Sequence, residues 1–116
     1  MIDVKTKEEL KAKYPNRKLK VLVASLPPDD GETEEKKIGF VVAAPTRPEY
    51  QRMIDEIMDP QKRGVAVERF VRGSIKHPAP AEVDAIAARF PAIFSQLSDP
   101  LTKLAGNAIQ VEEQDF

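Results

Sequence analysis

Residues 38–52 read IGFVVAAPTRPEYQR, and within this stretch the sequence changes from strand-like to helix-like. Its first part, residues 38–44, is short and rich in β-branched and aromatic residues, which is typical of a β-strand. The letters TRPE at residues 46–49 form a capping box, in which the Thr46 hydroxyl accepts from the third helical amide and Glu49 reaches back to Thr46. A proline in the first turn of a helix costs no hydrogen bond. The stretch therefore predicts a strand that leads directly into a capped helix.

A second strand is predicted upstream, because residues 19–25, LKVLVAS, have the same strand-like composition. The acidic, proline-containing residues 27–37 would join the two strands as a long, mobile hairpin loop. In each strand, alternate apolar residues share one face of the sheet. These are Leu19, Val21 and Val23 in the first strand and Ile38, Phe40 and Val42 in the second. Before the hairpin, a capping box at Thr6 begins a short helix that ends near Pro15.

Downstream of residue 46 the apolar residues follow the helical period. The first stripe is Tyr50, Met53, Ile54, Ile57 and Met58, and the second is Val67, Phe70, Val71, Ser74 and Ile75. A third helix opens at Pro80 or Ala81 with Val83, Ile86, Ala87 and Phe90, and a short helical turn follows at Ile93, Phe94 and Leu97. The chain restarts at Pro100 and reaches a C-cap signal at Gly106.

These patterns predict an α+β fold: a short N-terminal helix, a β-hairpin, then a cluster of three to four helices. A chain of 116 residues fits one domain with one core. Within residues 1–116 we expect a helix-plus-hairpin part over 1–45, a helical part over 46–106 and an acidic tail over 107–116.

Composition excludes several classes of protein. The chain has no cysteine and one histidine, so disulfides, thiolate metal sites and cysteine nucleophiles are excluded. It has no apolar run near the ~20 residues of a membrane span, and its N-terminus does not read as a signal peptide. A formal net charge of −1 argues against a strongly basic nucleic-acid binder.

The sequence indicates no catalytic, cofactor-binding or metal-binding residue. His77 precedes a proline in an expected loop, with no orienting acid or nucleophile nearby in sequence. The carboxylates Glu49, Asp55, Glu56 and Asp59 alternate with arginine and lysine, which is typical of a solvated helix face. Asp29 and Asp30 precede a glycine and indicate a turn rather than a calcium site. We therefore expect a protein that is not an enzyme and needs no cofactor.

Two kinds of binding surface remain open at this point. Four apolar residues in the proline-interrupted C-terminal segment have little polar cover and are candidates for partner binding: Phe94, Leu97, Leu101 and Leu104. The alternative is a small nucleic-acid-binding or regulatory module that uses the basic stretch from Lys5 to Lys20 together with Arg69, Arg72 and Lys76. Few aromatic residues accompany these cations, so a solubilising surface also explains them.

The pattern of caps and breaks resembles the small tail assembly chaperones of long-tailed bacteriophages and prophages. The resemblance rests on residues 40–52, FVVAAPTRPEYQR, where a hairpin strand leads into a Pro-Thr-Arg-x-Glu-Tyr-like helix start. It continues through DPQKR at 59–63, the break at His77-Pro78, RFP at 89–91 and LAG at 104–106.

This resemblance implies a non-enzymatic role in the host bacterial cytoplasm. Tail assembly chaperones bind the long, helical tape measure protein while the tail tube is built, and then leave. The expected partner is therefore the tape measure protein, held by reversible apolar contacts as a helix in a groove. Self-association into a homo-oligomer is also expected, and a structural neck or tail subunit is a further alternative.

Overall fold

The computed structural model describes residues 2–28, 31, 33–107 and 109–115, without the side chain of Asn107. In chain order its elements are α1 (Val4–Lys13), β1 (Leu19–Leu26), β2 (Lys36–Ala43), α2 (Arg47–Met58), α3 (Arg63–Ser74), β3 (Ile75–His77), α4 (Pro80–Arg89) and α5 (Ile93–Thr102). A short π-helical turn, Lys103–Asn107, follows α5. A helix, a hairpin and then four helices confirm the predicted α+β class.

The sheet is antiparallel, with β2 between β1 and β3. In the predicted hairpin, Leu22 lies opposite Phe40. The third strand was not predicted, because Ile75 continues the apolar stripe of the preceding helix in the sequence. The structure instead ends α3 at Ser74 and pairs Ile75 with Val42. The second edge of β2 offers hydrogen-bond partners there, which a stripe of apolar residues cannot reveal.

The two predicted capping boxes have different outcomes. At the start of α2, Thr46 and Glu49 form the complete box. At α1 the N-cap is Asp3, whose Oδ1 accepts from the Thr6 amide at 2.7 Å, so the helix begins at Val4 and Thr6 lies in its first turn. Both residues are good caps, and the earlier one allows a longer helix.

Helix α5 continues through Pro100, where the sequence predicted a restart. A proline inside a helix removes one backbone hydrogen bond. The helix is retained because Leu97 and Leu101, one turn apart, are both buried in the core.

The core joins the sheet to the helices that follow it. Its buried members are Leu26, Phe40, Val42, Met53, Phe70, Val71, Val83, Ile93, Phe94, Leu97 and Leu101. On β1 it is Leu22, Ala24 and Leu26 that face this core, since they share the face of Phe40, whereas Val21 and Val23 lie on the other face. Helix α1 contributes no buried residue.

Parts of the predicted loop and tail lie outside the described residues. Strand β2 begins at Lys36, inside the predicted loop 27–37, while Asp29, Asp30 and Glu32 are not described. In the predicted tail 107–116, Ala108 and Phe116 are not described. Across the described parts of the chain, no helix has the length and apolarity needed to cross a membrane.

Candidate protein-binding groove

A groove of about 740 Å³ lies where β1 meets the beginning of α5. Residues 21–27 form one wall, and residues 89–93 with Gln96, Leu97 and Pro100 form the other. Leu26, Ile93 and Leu97 are members of the core that reach its inner surface. The groove is therefore an apolar opening that continues the core to the surface at one edge of the sheet.

Strand β1 presents an open edge beside this groove. The Ala44 amide donates to the Lys18 carbonyl at 2.8 Å, which makes the even-numbered residues of β1 the ones that bond to β2. The amides and carbonyls of Leu19, Val21, Val23 and Ser25 consequently point away from β2. Among the described residues, no strand pairs with this outer edge. An unpaired edge of this length is a template for another strand.

The face of β1 that points away from the core is also exposed in the middle of the strand. Val21 and Val23 are 40% and 53% exposed. Val23 lies opposite Gly39, which has no side chain to cover it. Nearer the start of the strand, a small pocket separates α1 from the sheet. It is lined by Leu10, Leu19, Val21 and Val41 together with Lys7, Lys11 and Lys20. The apolar edge thus has lysine side chains at one end.

The four predicted partner-binding residues do not form an exposed apolar patch. Phe94, Leu97 and Leu101 are 7%, 4% and 0% exposed, and Leu104 packs against the same core. The Arg72 guanidinium also covers the Phe94 ring, 4.7 Å from its centroid. These residues face inward because α5 packs against α3 and closes the core. Of the four, Leu97 lines the groove, at its inner surface.

Glu49 is held at the junction of the hairpin and α2. Its Oε1 accepts from the Thr46 amide and hydroxyl, both at 2.9 Å, and from Arg17 Nη2 at 2.8 Å. Partial burial alone would raise its pKa, but the Thr46 hydrogen bonds and the Arg17 charge outweigh that effect and lower the pKa of Glu49. Glu49 thus completes the cap of α2 and links it to Arg17, which lies before β1.

Glu56 is not part of a solvated face, in contrast to the sequence-based expectation. Its side chain is 8% exposed and its Oε1 accepts from Arg69 Nη1 at 3.0 Å and from Arg52 Nε at 3.2 Å. Burial would raise its pKa, but the two arginines outweigh this and lower the pKa of Glu56. The cause is the contact between α2 and α3, which brings Arg69 over a residue thirteen positions earlier.

The predicted basic surface is divided by the fold. The lysines at positions 5, 7, 11, 13, 18 and 20 are exposed. Arg17 is bound to Glu49, Arg69 to Glu56, and Arg72 to Asp84 at 2.6 Å. Lys76 lies over the Tyr14 ring, 5.1 Å from its centroid. The second part of the predicted cationic surface is therefore engaged within the protein.

His77 is the last residue of β3 and pairs with Val41, so it lies in a strand and not in the loop expected from the sequence. Within the described part of the chain, no group of three or more histidine, aspartate or glutamate residues is placed to hold a metal ion.

The fold and the groove define a small α+β domain with an apolar cleft at an open sheet edge. The chain belongs to the family described as Domain of unknown function (DUF6848), whose model matches residues 10–114. No curated protein matches the chain.

A solved structure of similar fold is that of the uncharacterised protein rbstp2171 from Bacillus stearothermophilus. The two chains are 18% identical with a TM-score of 0.66, and the match covers 93% of this chain and 99% of the other. At this level of identity the similarity concerns the fold alone.

The sequence patterns did not predict the groove, although they placed most of its lining residues in the correct helices and strands. Phe90 and Ile93 were placed in helical segments and Val21 in a strand. Their meeting depends on α5 packing beside β1, which is a long-range contact. The one local signal is the break at Pro91 between α4 and α5, where RFP at residues 89–91 interrupts the helical pattern beside an apolar residue.

Proposed function

We propose that this protein is a phage or prophage tail assembly chaperone that binds an apolar segment of the tape measure protein in the groove between β1 and α5. Binding takes place in the host bacterial cytoplasm during tail assembly and is reversible. The protein acts through apolar contact and performs no chemical reaction on its partner.

The observation that carries this proposal is the groove itself. It exposes apolar side chains from β1 and from the start of α5 along one continuous opening. Large exposed apolar patches on small domains mark interaction sites. An amphipathic helix recognised in such a groove buries the stripe through which it would otherwise aggregate.

A second support is the sequence resemblance described above. The residues that carry it, 40–52, form the end of β2 and the capped start of α2, with the Thr46 box in place. The strand part of this stretch is buried in the central strand β2, and its capped part begins the first helix after the hairpin.

The test is co-expression with the tape measure protein encoded in the same genome. We expect the wild-type chain to keep that protein soluble and to co-purify with it. Ala92→Arg introduces a charge at an exposed residue of the groove, and we expect it to reduce the amount of co-purified partner at least about tenfold, since burying a charge is costly.

The matched control is Ala88→Arg. Ala88 is an exposed residue of α4 outside the groove, so the same side-chain change there should leave co-purification unchanged. Equal loss with both variants, or no complex with the wild-type chain when both proteins are folded, would contradict the proposal.

Two alternatives give different results in related experiments. A nucleic-acid-binding module that uses the exposed lysines would be retained on nucleic acid, with binding that weakens steeply as salt increases. A structural neck or tail subunit would remain in purified virions, whereas a chaperone would be absent from them.

A further inference from the structure

The C-terminal residues 109–115, IQVEEQD, have the features of a strand without a partner. They form neither helix nor strand and are exposed, and the large apolar residues Ile109 and Val111 are 74% and 92% exposed. Apolar residues at alternate positions are typical of a strand with one buried face. The radius of gyration is 16.4 Å, compared with about 13 Å for a compact domain of this size. The chain therefore carries an uncovered strand-like segment in addition to an uncovered strand edge.

We propose that residues 109–115 of a second copy add to the outer edge of β1 as an antiparallel strand when the groove holds no tape measure segment, so that the free protein is a dimer. In this arrangement Val111 lies opposite Leu22. The outward amides and carbonyls of Val21 and Val23 then bond to the tail.

One register satisfies both the apolar and the charged residues. With Val111 opposite Leu22, Ile109 lies opposite Ala24 and both apolar side chains of the tail enter the groove. The same register places Glu113 opposite Lys20 and Asp115 opposite Lys18. Directly opposed residues of opposite charge stabilise an antiparallel pair. A shift by two residues in either direction loses one of the charge pairs or places Val111 opposite Lys20.

The charge distribution also determines the direction of the added strand. In the antiparallel direction the acidic end of the tail meets the lysine-rich beginning of β1, and Glu112 on the outer face approaches Lys7 and Lys11, which lie beside Val21. In the parallel direction the same acids would meet the acidic hairpin loop, which includes the exposed Glu34 and Glu35. The antiparallel direction is therefore the favourable one.

A second copy is the proposed occupant because the tail is exposed in the single chain and follows a defined turn after α5. The Ile109 amide donates to the Gly106 carbonyl at 3.0 Å, and Gly106 has φ +106°. A Cβ at Gly106 would lie 3.1 Å from Ile109 Cδ1, so the turn is closely packed. This turn fixes where the tail leaves α5, and in the single chain the tail makes no pair with β1 among the described residues. Two copies can exchange tails reciprocally, which gives a closed twofold dimer.

The first experiment uses the absence of native cysteine. A preparation of Lys20→Cys is mixed with one of Glu113→Cys and oxidised. These two positions form a non-hydrogen-bonded pair in the proposed register, with Cα atoms about 4.5 Å apart, which a disulfide spans. We expect a disulfide-linked dimer that contains both chains.

The matched control is a mixture of Lys20→Cys with Gln114→Cys, whose side chain points to the opposite face. We expect this mixture to give several-fold less cross-linked dimer. The double variant Lys20→Cys/Glu113→Cys distinguishes a disulfide between two chains from one within a single chain. A disulfide within a single chain would show that the tail binds its own β1. That result, or no cross-link in the mixture, would overturn the inference.

The second experiment measures the dimer dissociation constant by sedimentation equilibrium of the full chain. We expect Val111→Asp to weaken the dimer at least about tenfold, because it places a carboxylate in an apolar groove. Gln110→Asp adds the same charge on the opposite face and should have a much smaller effect. Lys20→Glu should weaken the dimer, and adding Glu113→Lys should restore it. A monomeric wild-type chain would refute the dimer and leave co-purification with the tape measure protein as an independent result.

Discussion

Strands β1 and β2 have the same length and similar apolar content, yet their environments differ. From Phe40 to Ala43, β2 is buried on both faces, whereas Val21 and Val23 of β1 are largely exposed. The difference follows from position, since β2 lies between two strands and under the helices, while β1 is at the edge. Burial in this sheet therefore depends on neighbours more than on side-chain type.

The largest expected effect comes from the residue pair that joins the two strands. Phe40 is fully buried and its partner Leu22 is partly buried. Phe40→Ala should destabilise the protein by about 3–5 kcal/mol, because it leaves a large cavity in the core. Leu22→Ala should cost less than half of that, because one side of Leu22 faces the groove.

Urea denaturation followed by circular dichroism measures both variants. If Phe40→Ala does not fold, Phe40→Val and Leu22→Val provide the comparison, and the larger loss is again expected at residue 40. Equal losses at Phe40 and Leu22 would contradict the assigned difference between the strands.

The substitution of valine by threonine, which replaces a methyl group by a hydroxyl, compares the two strands. Val42 is 0% exposed and Val23 is 53% exposed. Val42→Thr should cost about 1–3 kcal/mol, since it buries a hydroxyl in an apolar site. Val23→Thr should change stability by less than about 0.5 kcal/mol, as is usual for surface substitutions. Thermal unfolding measures both variants, at a protein concentration below the dissociation constant of the proposed dimer. A large effect of Val23→Thr would indicate that another part of the protein covers the outer face of β1.

The two helices that flank the hairpin also differ. The capping box at Thr46 of α2 is formed, whereas the capping box expected at Thr6 of α1 is not. Thr46→Ala should destabilise the protein by about 1 kcal/mol through loss of the cap. Thr6→Ala should have an effect below about 0.5 kcal/mol, since Asp3 caps α1. Chemical denaturation of both variants tests this, and the opposite order would show that α1 is more important to the fold than α2.

The smallest expected effect concerns the ion pair between Arg17, before β1, and Glu49, after β2. The folded state lowers the pKa of Glu49 from 4.5, so its contribution is complete above about pH 5 and is lost as pH falls through the lowered value. The pair is partly exposed and should contribute less than about 1 kcal/mol.

Glu49→Gln serves as the comparison for that pH dependence. The stability difference between wild type and Glu49→Gln should be present at pH 7 and should shrink on acidification towards pH 3, as measured by urea denaturation at each pH. A difference that does not depend on pH would contradict the role of the Glu49 charge.

The local elements were largely predictable because their signals are local. The hairpin, the Thr46 capping box and the amphipathic stripe of α2 follow from residues close in sequence, and the structure contains them. The strand β3, the burial of Glu56 and the continuation of α5 through Pro100 were missed. Each of these depends on a partner supplied by a distant element, such as the edge of β2 or Arg69.

The sequence by itself determined the class of fold, the order of its main elements and the charged ends of the chain, because periodicity, caps and breaks act over a few residues. Tertiary structure decided which apolar residues stay exposed. It placed Phe94 and Leu101 in the core and left Val21 and Val23 at an open edge beside the groove. The physical reason is that burial requires a neighbour, and the neighbours here come from elements far apart in the chain.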